Sequence, residues 1–187
     1  MKIALIIIAV VVVVVVLVLL YLVSTYNMLV SLRNKVKDQW SQIDVVLKNR
    51  SDLIPNIVET VKGYAKHENN TLKEVIEARN SMNSASSVEE EMKASNEVTK
   101  ALGKLFALAE SYPELKANQN FLDLQSKLNE IEEKIRFARQ FYNDSVLKFN
   151  NKIEMFPSNI IANMFNFKKR AFFEAAEEER KNVSVKF

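Results

Sequence analysis

Residues 3–23 contain only Ile, Leu, Val, Ala and one Tyr, without a single charge. No other feature constrains the chain as strongly. At the helical rise this stretch spans roughly 32 Å, enough to cross the hydrocarbon core of a bilayer. The valine run at 10–16 disfavours helix in water. In lipid the backbone must satisfy its own hydrogen bonds, and helix does so. A secretory signal peptide is the competing reading, but signal cores run about 7–15 apolar residues and close on a small-x-small site. Here the run is longer and exits through Leu20-Tyr21-Leu22-Val23-Ser24-Thr25. Residues 1–23 therefore read as an uncleaved single-pass anchor. Lys2 flanks it on one side, and Arg33, Lys35 and Lys37, offset by Asp38, on the other. So small an asymmetry leaves both orientations open.

The rest of the 187-residue chain has room for one soluble domain with a real core. Net charge is +3, of which Lys2 supplies one unit, leaving the soluble part near balance. No basic block tracks a nucleic-acid backbone, so nucleic acid is not an expected partner. The absence of cysteine excludes disulfides, iron–sulfur clusters and thiol catalysis. Two glycines and three prolines are too few for a β-rich or α/β domain, or for a phosphate-cradling loop. Such scarcity predicts long helices with few connections.

Apolar residues past the anchor recur at spacings of three and four. Leu29, Leu32, Val36, Trp40, Ile43 and Leu47 form one stripe, with no breaker between Val23 and Lys48. The anchor helix is expected to run straight into the first soluble helix. A second helix is expected from Asp52 as N-cap, with Pro55 in its first turn. Its stripe is Ile54, Ile57, Val61, Tyr64, Leu72, Val75, Arg79 and Met82, loosened around Gly63 and Lys66-His67-Glu68-Asn69-Asn70. Ser87 and Glu90 make a capping-box signature for a third helix ending at Pro113. Asn118 caps a fourth, whose Phe121, Leu124, Leu128, Ile131, Ile135, Ala138, Tyr142, Ser145, Phe149 and Lys152 follow a strict three-four alternation up to Pro157. The fold class is all-α: an N-terminal transmembrane helix continuous with an antiparallel, up-and-down, coiled-coil-like bundle of about four long helices. The divisions are 1–23 anchor, 24–156 bundle, and 157–187 an aromatic and basic segment with the C-terminal tail.

Alternating helix directions bring the end of the fourth helix back towards the bilayer. Phe165, Phe167, Lys168, Lys169, Arg170, Phe172 and Phe173 fall there, a mixture that suits a headgroup interface. The alternative is a short segment packing its aromatics under the bundle end, with a solvated basic patch.

Several blocks also resemble the LemA family over nearly the whole chain. They are Tyr26-Asn27-Met28-Leu29-Val30, Trp40-Ser41-Gln42-Ile43-Asp44-Val45 and the run 52–64, from Asp52-Leu53-Ile54-Pro55 to Lys62-Gly63-Tyr64. Tyr112-Pro113-Glu114-Leu115-Lys116-Ala117-Asn118, Ala138-Arg139-Gln140-Phe141-Tyr142-Asn143 and Phe156-Pro157-Ser158-Asn159-Ile160-Ile161-Ala162 follow in the same order. The resemblance implies an N-terminal transmembrane helix and an antiparallel helical bundle in a bacterial membrane. It brings no catalytic residues and no cofactor. Family members often carry a proline ahead of a final Val-x-Phe, where this chain has Lys181-Asn182-Val183-Ser184-Val185-Lys186-Phe187.

The chemical inventory points away from an enzyme, a metal site or a cofactor. His67 stands alone in a polar patch, which cannot make a two-histidine zinc motif or the Glu-x-x-His pairs of a di-iron bundle. Glu130, Glu132 and Glu133 read as the solvated side of a charged helix. Asn27 and Asn143 each follow a tyrosine at matching heights on antiparallel helices; they either bond across the bundle and set its register or face water. Val183, Val185 and Phe187 alternate with polar residues, fitting an edge strand for a partner, a disordered tail or a strap across the chain's own bundle. The expected function is a membrane-anchored helical scaffold for protein partners in the bacterial inner membrane, with a lipid-headgroup-binding or membrane-remodelling protein as the alternative.

Overall fold

The structure, a computed structural model, describes residues 1–174. Val183, Val185 and Phe187 lie outside the described residues. Among the described residues six helices follow in order: α1 (Lys2–Tyr64), α2 (Asn69–Ser84), α3 (Val88–Ala109), α4 (Pro113–Lys116), α5 (Gln119–Glu154) and α6 (Ser158–Met164). No strand occurs among the described residues. α1, α2, α3 and α5 are the long helices, in keeping with the all-α bundle expected from the apolar periodicity.

The largest departure from the sequence reading concerns the start of the second helix. No break occurs near Asp52; α1 continues through it and carries Pro55 in its interior. Asp52 pairs instead with Lys48 one turn earlier, at 3.4 Å. A proline inside a helix strips the donor from the carbonyl four residues back. That carbonyl belongs to buried Ser51, and Arg79 of α2 supplies the missing donor, its Nε giving a 2.9 Å bond to the Ser51 oxygen. This is why an arginine stands in the apolar stripe of α2. Arg79→Leu is expected to cost about 1–3 kcal/mol by orphaning a buried acceptor. In a Pro55→Ala background, where the helix provides its own N–H, the cost should shrink. Thermal melts of the full chain in detergent, followed by circular dichroism, check both; equal losses in the two backgrounds would refute the coupling.

The true break falls in the polar run after Gly63, where α1 ends at Tyr64 and α2 begins at Asn69. Ser87 caps α3 as expected, accepting from the Glu90 N–H at 3.3 Å. The return arm differs from a standard capping box: the Glu90 carboxylate accepts from the N–H and hydroxyl of Ser86, at 2.8 and 2.9 Å. Those bonds hold the Glu90 carboxyl below its ordinary range. Asn118 likewise caps α5, its Oδ1 accepting from Phe121 at 3.0 Å. Along α5 every seventh residue, Phe121, Leu128, Ile135, Tyr142 and Phe149, is buried. This is the periodicity of a coiled-coil seam.

Contacts divide the chain into two compact units. Of the described residues, the first comprises Met1–Trp40 and Phe141–Phe172, and the second Ser41–Gln140 with Phe173 and Glu174. In the first unit, the apolar side chains along residues 3–21 of α1, and Val23, are exposed around the helix. A helix apolar on every side is made for lipid. Beyond it, α1 and α5 run antiparallel: Trp40 meets Tyr142 with ring centroids 5.4 Å apart, and Tyr26 meets Phe165, just past the end of α5 and α6, at 4.6 Å. In the second unit, residues 41–64 of α1 pack with α2, α3, α4 and the first part of α5 around Ile54, Ile57, Leu105, Leu115 and Phe121.

Candidate functional site

The first unit holds a basic cleft of about 200 Å³, lined by Arg33, Phe149, Asn166, Phe167, Lys168 and Arg170. Its geometry follows from how the chain leaves α6. Phe165 ends that helix and Asn166 takes a left-handed turn, φ 55°, which asparagine tolerates better than most residues. The turn directs Phe167 inward, where its ring lies 6.4 Å from Phe149 and 5.9 Å from Tyr26. The Arg33 guanidinium stacks over the same ring at 5.3 Å. Asn150 then grips the backbone of Arg170 from both sides. Its Nδ2 donates to the Arg170 carbonyl and its Oδ1 accepts from the Arg170 N–H, each at 2.9 Å. The Tyr142 hydroxyl donates to the Ala171 carbonyl at 3.0 Å.

Three cations, Arg33, Lys168 and Arg170, therefore border one recess floored by two aromatic rings. None of the three has an acidic partner among the described residues, whereas Lys169 pairs with Glu154. The Arg33 Nε is buried and carries no acceptor. A cleft of this charge suits an anion such as a phosphate oxygen.

The residues singled out from sequence divide between inside and outside. Phe165 and Phe172 are exposed, as are Lys168, Lys169 and Arg170. Phe167 is buried in the first unit, and Phe173 in the second, where the Arg139 guanidinium sits 4.1 Å over its ring. Asn27 lies on the exposed side of α1, and Asn143 is half-buried on α5. Asn150, which the sequence did not single out, is bonded to the segment after α6. Asn150 escaped sequence reading, and Arg33 counted there only as a charge flanking the anchor.

In the second unit, Arg50 is fully buried. Its Nη1 donates to Glu132 at 2.8 Å and Thr99 at 2.9 Å, and its Nη2 to the Ser95 hydroxyl at 2.8 Å and carbonyl at 3.1 Å. Arg139 reaches the same Ser95 hydroxyl at 3.1 Å. Glu132 is thus not part of a solvated face. Glu130 and Glu133 are, pairing along α5 with Lys134 and Arg136. Further along this unit, the Tyr112 hydroxyl donates to Glu68 at 3.1 Å, a bond that pushes its ionisation up. His67 is exposed. Among the described residues no cluster of His, Cys, Asp or Glu is placed to hold a metal ion.

A long apolar helix that continues into a bundle of antiparallel helices defines a membrane-anchored helical protein. The chain belongs to the LemA family, whose sequence model matches residues 39–187. It is 26% identical to the protein LemA of Metamycoplasma hominis over 164 residues, covering 87% of this chain and 75% of that one. It is also 25% identical to magnetosome protein MamQ 2 of Paramagnetospirillum magneticum, covering 82% of this chain and 66% of the relative. Magnetosome protein MamQ of Magnetospirillum gryphiswaldense is 24% identical, with 81% and 65% covered. The chain spans about two thirds of the length of these two magnetosome relatives.

Proposed function

We propose that the chain is a single-pass scaffold of the bacterial inner membrane that presents its helical bundle to protein partners. The observation that carries this reading is the continuity of α1 from Lys2 to Tyr64. Beyond residue 23 it continues for roughly 60 Å as one helix. A helix that both crosses the bilayer and forms the spine of the bundle couples position in the membrane to the surface displayed. The buried polar groups support the same reading, because Arg50 is bonded within the core rather than aimed at an open site.

A photo-reactive residue placed singly at Glu77, Glu97 and Lys148 of the full chain in native membranes tests this. Glu77 and Glu97 line the groove between α2 and α3. Discrete protein adducts at one face and not the others are expected, and absence of any protein adduct at all three would sink the scaffold reading.

One observation favours a second reading, lipid-headgroup binding. It is the convergence of Arg33, Lys168 and Arg170 on a cleft without acidic partners among the described residues. The same photo-reactive residue at Lys168 should then give phospholipid adducts that diminish in Arg33→Gln and Arg170→Glu variants. Adducts indifferent to those changes would remove this reading.

A further inference from the structure

Large apolar side chains left singly on a surface are ordinary, but a cluster of them calls for a partner. Among the described residues outside the apolar run of α1, such a cluster forms the corner between α5 and α6. Phe156 is 80% exposed, and Met155, Ile160, Met164 and Phe165 are all more than half exposed. Ile160 and Met164, four residues apart, share one face of α6. Its other face, Ser158, Ile161 and Ala162, is buried in the first unit. α6 therefore carries large apolar residues both where it packs and where it does not.

The contacts of this corner fix where it sits. Phe165 lies against Tyr26 at 4.6 Å, and Tyr26 follows the apolar run by three residues, a rise of about 4.5 Å. The corner thus lies level with the point where α1 leaves the hydrocarbon, at the depth where aromatic residues collect in membrane proteins. Lys168, Lys169 and Arg170 follow directly in the chain and are exposed, as expected on the headgroup side of such a layer.

We propose that the α5–α6 corner is a second membrane contact, in which Met155, Phe156, Ile160 and Met164 enter the interfacial layer of the leaflet from which α1 emerges. The occupant of the patch is lipid rather than a protein, because the patch is continuous with the apolar surface of α1 through Tyr26 and Phe165. Two contacts with one bilayer resist tilting of the first unit, which a lone helix does not. The inference rests on the anchored reading of α1, and one experiment separates the two.

The chain has no cysteine, so single Phe156→Cys and Ile160→Cys variants of the full chain can carry an environment-sensitive nitrobenzoxadiazole label. Val13→Cys reports the anchor, and Asp144→Cys, about 15 Å further along α5, reports water. In vesicles of mixed zwitterionic and anionic phospholipid, labels at 156 and 160 are expected to emit to the blue of the 144 label. Nitroxides on shallow acyl positions should quench them several-fold more strongly than the 144 label, and iodide should reach them poorly. Water-like emission with full iodide access at both corner positions, alongside lipid quenching at 13, would overturn the proposal while leaving the anchor intact. Shielding from iodide without lipid quenching, varying with the protein-to-lipid ratio, would overturn it in favour of a second copy. Failure of quenching at 13 would instead remove the anchored reading itself.

Discussion

Glu132→Ala is expected to destabilise the second unit by about 3 kcal/mol, the low end of the 3–5 expected when one partner of a buried ion pair is removed. Arg50 has no exposed surface, so its charge stays in the core with no carboxylate beside it. The low end applies because Glu132 itself keeps 30% side-chain exposure, and Thr99 and Ser95 continue to accept from the guanidinium. Removing the arginine has the opposite character. Arg50→Met leaves behind a carboxylate that water already reaches and fills most of the vacated volume with a flexible apolar chain. It should cost less than Glu132→Ala, and the double variant Arg50→Met/Glu132→Leu should recover most of the loss. A double-mutant cycle on thermal melts of the full chain in detergent gives all three values. If Arg50→Met proves the costlier single change, Arg50 acts through packing and not through its charge.

Arg50 also marks where the sequence stopped being legible. It occupies the same seven-residue row of α1 as Leu29, Val36, Ile43 and Ile57, all buried. A charge at that row reads as the end of a stripe. Asp52 and Pro55 then supply valid local signals for a new helix, and only tertiary facts override them: Glu132 on α5 for the charge, and Arg79 on α2 for the orphaned carbonyl. Neither donor nor acceptor can be located from local spacing. The seam of α5, by contrast, was readable throughout, because its three-four alternation is apolar at every position but Ser145 and Lys152. What the seam concealed is a third, flanking row, Gln125, Glu132, Arg139, Val146 and Ile153, each at least half-buried. A helix that packs against more than one neighbour buries more than the two rows of a simple coiled coil. The basic cleft was half visible. Lys168 and Arg170 announce themselves beside aromatics, but Arg33 joins them only once Phe167 has turned inward beneath its guanidinium.

That inward turn carries the second large effect. Phe167→Ala is expected to cost the first unit about 3–5 kcal/mol, the range for emptying a buried aromatic site. Phe167 is 8% exposed, and its ring meets Phe149, Tyr26 and the Arg33 guanidinium. Losing it removes the floor of the basic cleft and loosens the segment that Asn150 holds by the backbone of Arg170. Phe172, 41% exposed in the same segment, is the control; Phe172→Ala should stay within about 0.5 kcal/mol of the parent. The sole tryptophan, Trp40, sits in the first unit against Tyr142 and reports its unfolding directly. Trypsin gives an independent readout at Lys168, Lys169 and Arg170, because cleavage needs an extended backbone freed from its neighbours. Phe167→Ala should accelerate that cleavage and lower the Trp40 melting temperature together. An accelerated cut with an unchanged Trp40 transition would mean that the segment rests on the helices without stabilising them. Equal costs for Phe167 and Phe172 would mean that neither ring is the one turned inward.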